Sequence, residues 1–419
     1  MKLFKLLYIT MTTICFVNNV AAQDTQQYTM IPDINFEKFL REYGYDDYKA
    51  PDGKVLTSKI AEITSLNIEN RRINDLTGIQ DFVSLTVLIC NKNGLTTLDL
   101  SNNKALVHLD CSENRLTALD INANTNLASL DCGQNKLSNL DVTQNTNLTF
   151  LGCGRNQLAV LDISKNTALT HLRCWVNKLT TLDTFKNTSL KGLACAQNQL
   201  TTLDLSQNTN LISLECNDNP FHDLDLTHNT ALLYLSCSKN PLTTLDLSKN
   251  SALTTVVINE TELTSLDVTQ NSNLDFLDCS RNQLITLRVS NTPLTELVCY
   301  KNNLTTLDLS QNPALRTLEC SNNQFTSLDV SKNISLSRFY CSNNQIAHLD
   351  VSGNINLVSF ECKSNRLISL NIKNGNNKEL HHVYSFFNPD LTCIQADSDI
   401  MPPNDWRKDD IASFSTNCK

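Results

Sequence analysis

The sequence predicts a repeat solenoid. Short parallel strands should stack in about sixteen coils of about 21 residues, curved, with little helix and a small cap at each end. Two observations predict it. Cys90, Cys111, Cys132, Cys153, Cys174, Cys195, Cys216 and Cys237 recur at an unbroken step of 21, and the series resumes at Cys279, Cys299, Cys320, Cys341 and Cys362 with one step of 20. Ile258 holds the missing place. Around each rung a frame, L-x-x-L-x-(apolar)-x-x-N, appears twice, once in ten residues (LVHLDCSENR) and once in eleven (LTALDINANTN).

Each half of the coil has its own reading. Alternation over L-x-C or L-D-L marks a short strand with one buried face. A helix of about 8–20 residues does not fit the gap between strands. The chain must therefore turn at the asparagines, which form one column through Asn114, Asn135, Asn156, Asn177, Asn198 and Asn219. A second column runs through Asn124, Asn145, Asn166, Asn187, Asn208 and Asn229. A short amide tolerates turn conformations and can bond backbone groups that a tight bend leaves unpaired. In the eleven-residue unit an Asp column (Asp99, Asp120, Asp141, Asp162 and onward) precedes the third apolar place. Two readings of it stand here: carboxylates that satisfy a turn beside Ser or Thr, or a line of charge that attracts calcium weakly.

The ladder holds thirteen cysteines, an odd number, so it cannot pair completely. In-register parallel strands sit about 4.8 Å apart, beyond the roughly 3.5–4.5 Å between Cβ atoms of a disulfide. Each cysteine reads as a small buried hydrophobe. The rival reading, a metal site, needs ligands that converge on a point, and a ladder spreads them along a line.

The chain starts as an exported protein does. Lys2 and Lys5 precede a largely apolar run from Leu6 to Val17, and Val20-Ala21-Ala22 is a small-residue cleavage site. The run is too short to span a membrane, and Ile14 is too large to precede a lipidated Cys15. Removing residues 1–22 deepens the net charge from −9 to −11, which disfavours nucleic acid and anionic lipid as partners. Residues 23–62 read as an N-terminal cap: Phe36, Phe39, Leu40 and Tyr43 lie at helical spacing, with Asp33 to cap the start and Gly44 to end it. The nearby tract YDDYKAPDGKV fails as an EF-hand, because Tyr48 and Lys59 fall at the first and twelfth ligand places. A polar turn is the reading.

The frame resembles leucine-rich repeats of the bacterial 21-residue subtype. It is especially similar to internalins that carry a cysteine ladder. The resemblance covers residues 63–388 and implies a leucine-rich-repeat solenoid whose work is recognition. Residues 389–419, with NPDLTCIQAD, Trp406 and FSTNC, resemble the C-terminal caps of exported bacterial repeat proteins. That likeness implies a disulfide between Cys393 and Cys418.

No Gly-rich phosphate loop, GxSxG or HExxH occurs in the sequence, and the seven histidines are scattered. No catalytic residue, cofactor or metal ligand is assigned. His381-His382 reads as a solvated pair. Three stretches break the period: Leu253–Glu262, Leu284–Pro293 with Arg288 in place of Asp, and Asn371–Glu379. Each is open as a bend, a site or drift.

The two units differ in variability. Outward places of the eleven-residue unit vary less and are mostly Thr, Ser or Ala, with Thr-Thr recurring as in Thr96-Thr97, Thr201-Thr202, Thr243-Thr244 and Thr305-Thr306. Outward places of the ten-residue unit, at its third, fifth and seventh positions, vary widely. They carry most of the exposed aromatics. Phe150, His171, Arg173, Trp175 and Lys191 should form one patch. Tyr234, Val257, Phe276, Val298 and Tyr300 should form a second, and Arg316, Arg338, Tyr340 and Lys363 a third, basic one. Aromatics and Arg are enriched at binding hot spots, but strands favour aromatics anyway. The expectation is a non-enzymatic, exported binding protein with a protein or glycan partner at a cell surface, adhesion being one form the resemblance implies. A self-associating envelope component and a glycan-holding accessory module are the alternatives. No wall-anchor motif or hydrophobic tail is read, so surface retention, free secretion and periplasmic residence stay open.

Overall fold

The computed structural model describes residues 26–47, 50–398 and 405–418. The signal-like start and Cys15 lie outside the described residues. The main sheet contains a strand of three residues from each of sixteen coils, from Ser65–Asn67 to His382–Tyr384, and a final strand at Asp405–Arg407. All its pairings are parallel. Most are offset by one 21-residue coil, as in Ser129 with Phe150 and Phe150 with His171. The frame explains why. Its first, fourth and sixth positions point inward: Leu169, Leu172 and Cys174, for example, are completely buried.

The three interruptions leave this sheet intact. Thr255–Val257 pairs on both sides, and Ile258 is buried in the ladder place. The one-residue deletion is absorbed by an offset of 20 between Phe276 and Glu296, and the bulge near 377 by an offset of 23 between Ser359 and His382.

The eleven-residue unit departs from expectation. Most of its L-D-L segments are not strands. Pairing there is confined to Ser265–Asp267 with Thr286–Arg288, four strands between residues 348 and 415, and a bridge from Asp99 to Asp120. Coils are thus tied together by backbone bonds at the ten-residue unit and mostly not at the other. Continuous pairing draws the coils together along the main sheet, and a stack drawn together on one side curves toward it, so this sheet is taken as the concave side.

The two asparagine columns do different work. In the first, Asn114 accepts from Leu95 N at 3.1 Å and donates to Cys90 O and Cys111 O, sewing one coil to the last. In the second, Asn166 donates to Val142 O and Asn145 O at 2.9 and 2.8 Å, but its Oδ1 is buried without a partner. Asn208 is the exception in this column. Thr184 stands where other coils have Leu, Ile or Val, and its hydroxyl reaches Asn208 Oδ1 at 2.8 Å and Asp204 O at 3.0 Å. Thr184→Val should therefore cost about 1–2 kcal/mol, since it orphans a buried acceptor. Val142→Thr should be neutral or stabilising, against the usual loss for a buried hydroxyl. Urea midpoints of the two variants check this pair.

The Asp column caps turns. Asp141, Asp162 and Asp225 each accept the backbone N–H two residues on at 2.9 Å. That bond, helped by the hydroxyl of the same Ser or Thr, holds their carboxyls below the ordinary range.

The thirteen ladder thiols are free and buried. Burial pushes Cys174 and Cys237 up to about 12 and raises the other ladder thiols well above the ordinary thiol value too. Thiolate is the reactive form, so native protein should give almost no reaction with a thiol reagent at neutral pH. Titration after unfolding should find about thirteen groups. Native reactivity at several of them would contradict this packing.

At the N-terminal end, Ile34–Glu42 is helical, and Asp33 Oδ1 accepts from Asn35 N and Phe36 N. Asp33 Oδ2 accepts from Asn74 N at 2.7 Å, locking the helix to the first coils. Asp52 N and Gly53 N donate to the Glu37 carboxylate. At the other end Trp406 is buried, and its Nε1 donates to Leu380 O at 2.7 Å. Cys393 and Cys418 are joined in a disulfide.

Candidate binding face

Strand register places the variable side chains in three parallel columns on the concave sheet. Phe150, His171 and Gly192 are neighbours in one, Gly152, Arg173 and Ala194 in the next. Trp175 follows the buried Cys174 in the third. The first patch is a contiguous cluster. The Arg173 guanidinium lies 5.4 Å from the Phe150 ring centre, and Arg155 lies 4.6 Å from that of Trp175. Glycines make room for it. A Cβ on Gly154 would lie 2.8 Å from Trp175 Nε1, one on Gly192 2.8 Å from His171 Cδ2, and one on Gly152 2.9 Å from the Asp131 carboxylate. Asp131, absent from the expected patch, is half-buried; burial raises its carboxyl and Arg173 partly offsets that. Lys191 projects beside His171 and is exposed.

Val176 marks the same place. The residue before each corner asparagine has a positive φ, and Val176 is the β-branched member of that column, at +52°. Left-handed backbone is costly for such a residue.

The second patch is split. Tyr234 and Phe276 share one column, two strands apart, with Thr255 between them. Tyr300 sits at the far end of its strand, held by Arg281 Nε at 3.1 Å. Asp278 separates Val257 from Val298.

The third patch is not basic. Tyr340 lies in register between Glu319 and Glu361. Lys363 pairs with Glu361 at 2.8 Å, and burial raises the Glu319 carboxyl. Arg316 and Arg338 remain exposed at its margin. The acids belong to neighbouring coils at the same strand position, which selecting residues by charge alone passed over.

Comparison with known proteins decides the family. No protein-family model matches the sequence. A stretch of 49 residues is 47% identical to Internalin J of Listeria monocytogenes, covering 12% of this chain and only 5% of that protein's length. The functional domain of InlJ from Listeria monocytogenes, a structure that includes a cysteine ladder, is 36% identical with a TM-score of 0.73, covering 81% of this chain and 77% of that one. This chain belongs to the cysteine-ladder internalins. YopM from Yersinia enterocolitica is also similar, at 25% identity and a TM-score of 0.65, over 78% of this chain and 69% of that one.

The internalin frame also finds residues that sequence reading missed. Carried past the bulge near 377, it puts Leu380 first, Val383 fourth and Ser385 in the ladder place. Tyr384 and Phe386 are then outward, at the fifth and seventh positions. Lys363 and Arg407 lie over the Tyr384 ring at 5.7 and 5.2 Å, and Phe386 stacks edge-on against the exposed Phe387. His382, beside them, is 3.7 Å from the Asp405 carboxylate.

Proposed function

We propose that this internalin is an exported, non-enzymatic binding protein that recognises a protein partner at a cell surface through its concave sheet. One observation carries the reading. Two halves of the same coil share one packing frame, yet the outward places of the eleven-residue half are mostly Thr, Ser or Ala, with Thr-Thr-Leu-Asp in five coils, while the ten-residue half presents Phe150, His171, Arg173 and Trp175 side by side. Scaffold alone asks for uniformity on both. Export is supported by the signal-like start, and among the described residues no helix is long and apolar enough to cross a membrane. Adhesion is the concrete form the family likeness favours.

The test is capture of surface-protein fractions by the protein lacking residues 1–22. Trp175→Ala with Arg173→Ala should weaken binding by about 2 kcal/mol or more, roughly 30-fold, with an unchanged melting profile. Thr201→Ala with Thr202→Ala, on the uniform side, should bind normally. Loss in the threonine variant alone would place the contacts on the other face. Equal binding by all three proteins would favour self-association or a glycan partner.

A further inference from the structure

The coil after Trp175 is the lowest ground on the concave sheet. Its outward positions are Gly192, Ala194 and Ala196, whereas the coil before it stands up as His171, Arg173 and Trp175 and the coil after it as Ser213, Glu215 and Asn217. The result is a trench running along the strand, with walls about 9.6 Å apart at two strand spacings. A cavity of about 220 Å³ lies at its Lys191 end, lined by His171, Arg173, Lys191, Ile212 and Glu215.

Two cations, Arg173 and Lys191, stand on this rim. Lys92, Lys363 and Arg407, at other coils, are each ion-paired. Among the described residues no carboxylate lies within 4.0 Å of the Arg173 guanidinium or the Lys191 ammonium. Arg173 lies against Phe150 of the preceding coil, and a guanidinium fork can give two parallel bonds to a carboxylate. Two cations without a contacting carboxylate, Arg173 feeling Asp131 only at longer range, give one rim of a protein with net charge −9 a local complement to negative charge.

We propose that this trench takes an extended acidic segment of a protein partner. A Glu or Asp of that segment sits between Arg173 and Lys191, and its backbone lies over Ala194 and Ala196, past the His171 ring that leans over Gly192. A floor without long side chains admits a main chain closely. Ser213 and Glu215 on the far wall face its N–H groups. This inference rests on the reading that the concave sheet is the binding face and adds the chemistry of the partner.

Two octapeptide libraries test it, random except for a central Glu in one and a central Gln in the other, panned against the protein lacking residues 1–22. The Glu library should be enriched at least tenfold over the Gln library. Lys191→Gln should abolish that preference, and Ala194→Phe should abolish enrichment by filling the trench. Thr317→Phe, the same bulk on a distant coil, should leave it intact, and all three variants should melt as the parent does. Equal enrichment of the two libraries, no enrichment of either, or enrichment that survives Ala194→Phe overturns the proposal. A surface partner lost with Trp175→Ala and Arg173→Ala but kept by Ala194→Phe also overturns the trench, while the binding face stands.

Discussion

Asn145→Ala should destabilise the solenoid by about 1–3 kcal/mol. Its side-chain amide donates to Ile121 O at 3.0 Å and to Asn124 O at 2.9 Å, and the residue is completely buried. Truncation removes both amide bonds, at about 0.5–1.5 kcal/mol each, while the two carbonyls keep their turn bonds from Asn124 N and Leu127 N. The loss is partly offset because the unpartnered Oδ1 of the same residue disappears. Each coil touches only its neighbours, so an interior lesion weakens the coupling between two halves of the stack. Urea unfolding followed by circular dichroism should show an earlier midpoint and a broader or divided transition. Asn147→Ala is the control: it is exposed, its one inter-coil bond is to Thr125 O at 3.2 Å, and it should shift stability within about 0.5 kcal/mol. Equal losses in the two variants would refute the assigned role of the buried column.

Loss of the Cys393–Cys418 bond should loosen the C-terminal end by about 3.5 kcal/mol, the loop-entropy value for a sequence separation of 25. The segment it closes contains Trp406, which seals the last coil beneath Leu380. Cys393→Ala with Cys418→Ala should therefore lower the temperature at which Trp406 becomes exposed to a fluorescence quencher. Trp175 is the chain's other tryptophan, so a Trp175→Phe background isolates the signal. Reductant should reproduce the effect in the parent. An unchanged Trp406 transition would show that packing alone holds this end, and peptide mapping should recover the two cysteines as one linked pair.

The coils were legible because their signal is repeated: a single L-x-x-L-x-C is weak, but its recurrence in phase excludes other folds. Packing chemistry was legible for the same reason, as with the Asp turns and the asparagine corners. What escaped was lateral. The opposition of Glu319 and Glu361 across Tyr340, the division of Tyr234 and Phe276 from Tyr300, and the lean of Trp175 over Gly154 depend on which residues share a column. That follows from register rather than from residue type. Tyr384 and Phe386 were hidden by the bulge at Asn377–Glu379, which shifts the frame without shifting the sheet. The strand expected in each eleven-residue unit failed because alternation describes burial and is silent on how far apart successive coils lie.

The buried thiols impose an order of events on biogenesis. Thirteen cysteines safe inside the finished stack are all accessible in the unfolded chain. In an oxidising compartment each can be captured by another before its coil closes. Productive folding is then a race in which stacking must outrun oxidation. Local, neighbour-to-neighbour contacts suit that race, because a coil can dock as soon as the one before it is formed. The pair that is joined, Cys393 and Cys418, follows every ladder cysteine in the sequence, so it can close when the ladder thiols are already out of reach.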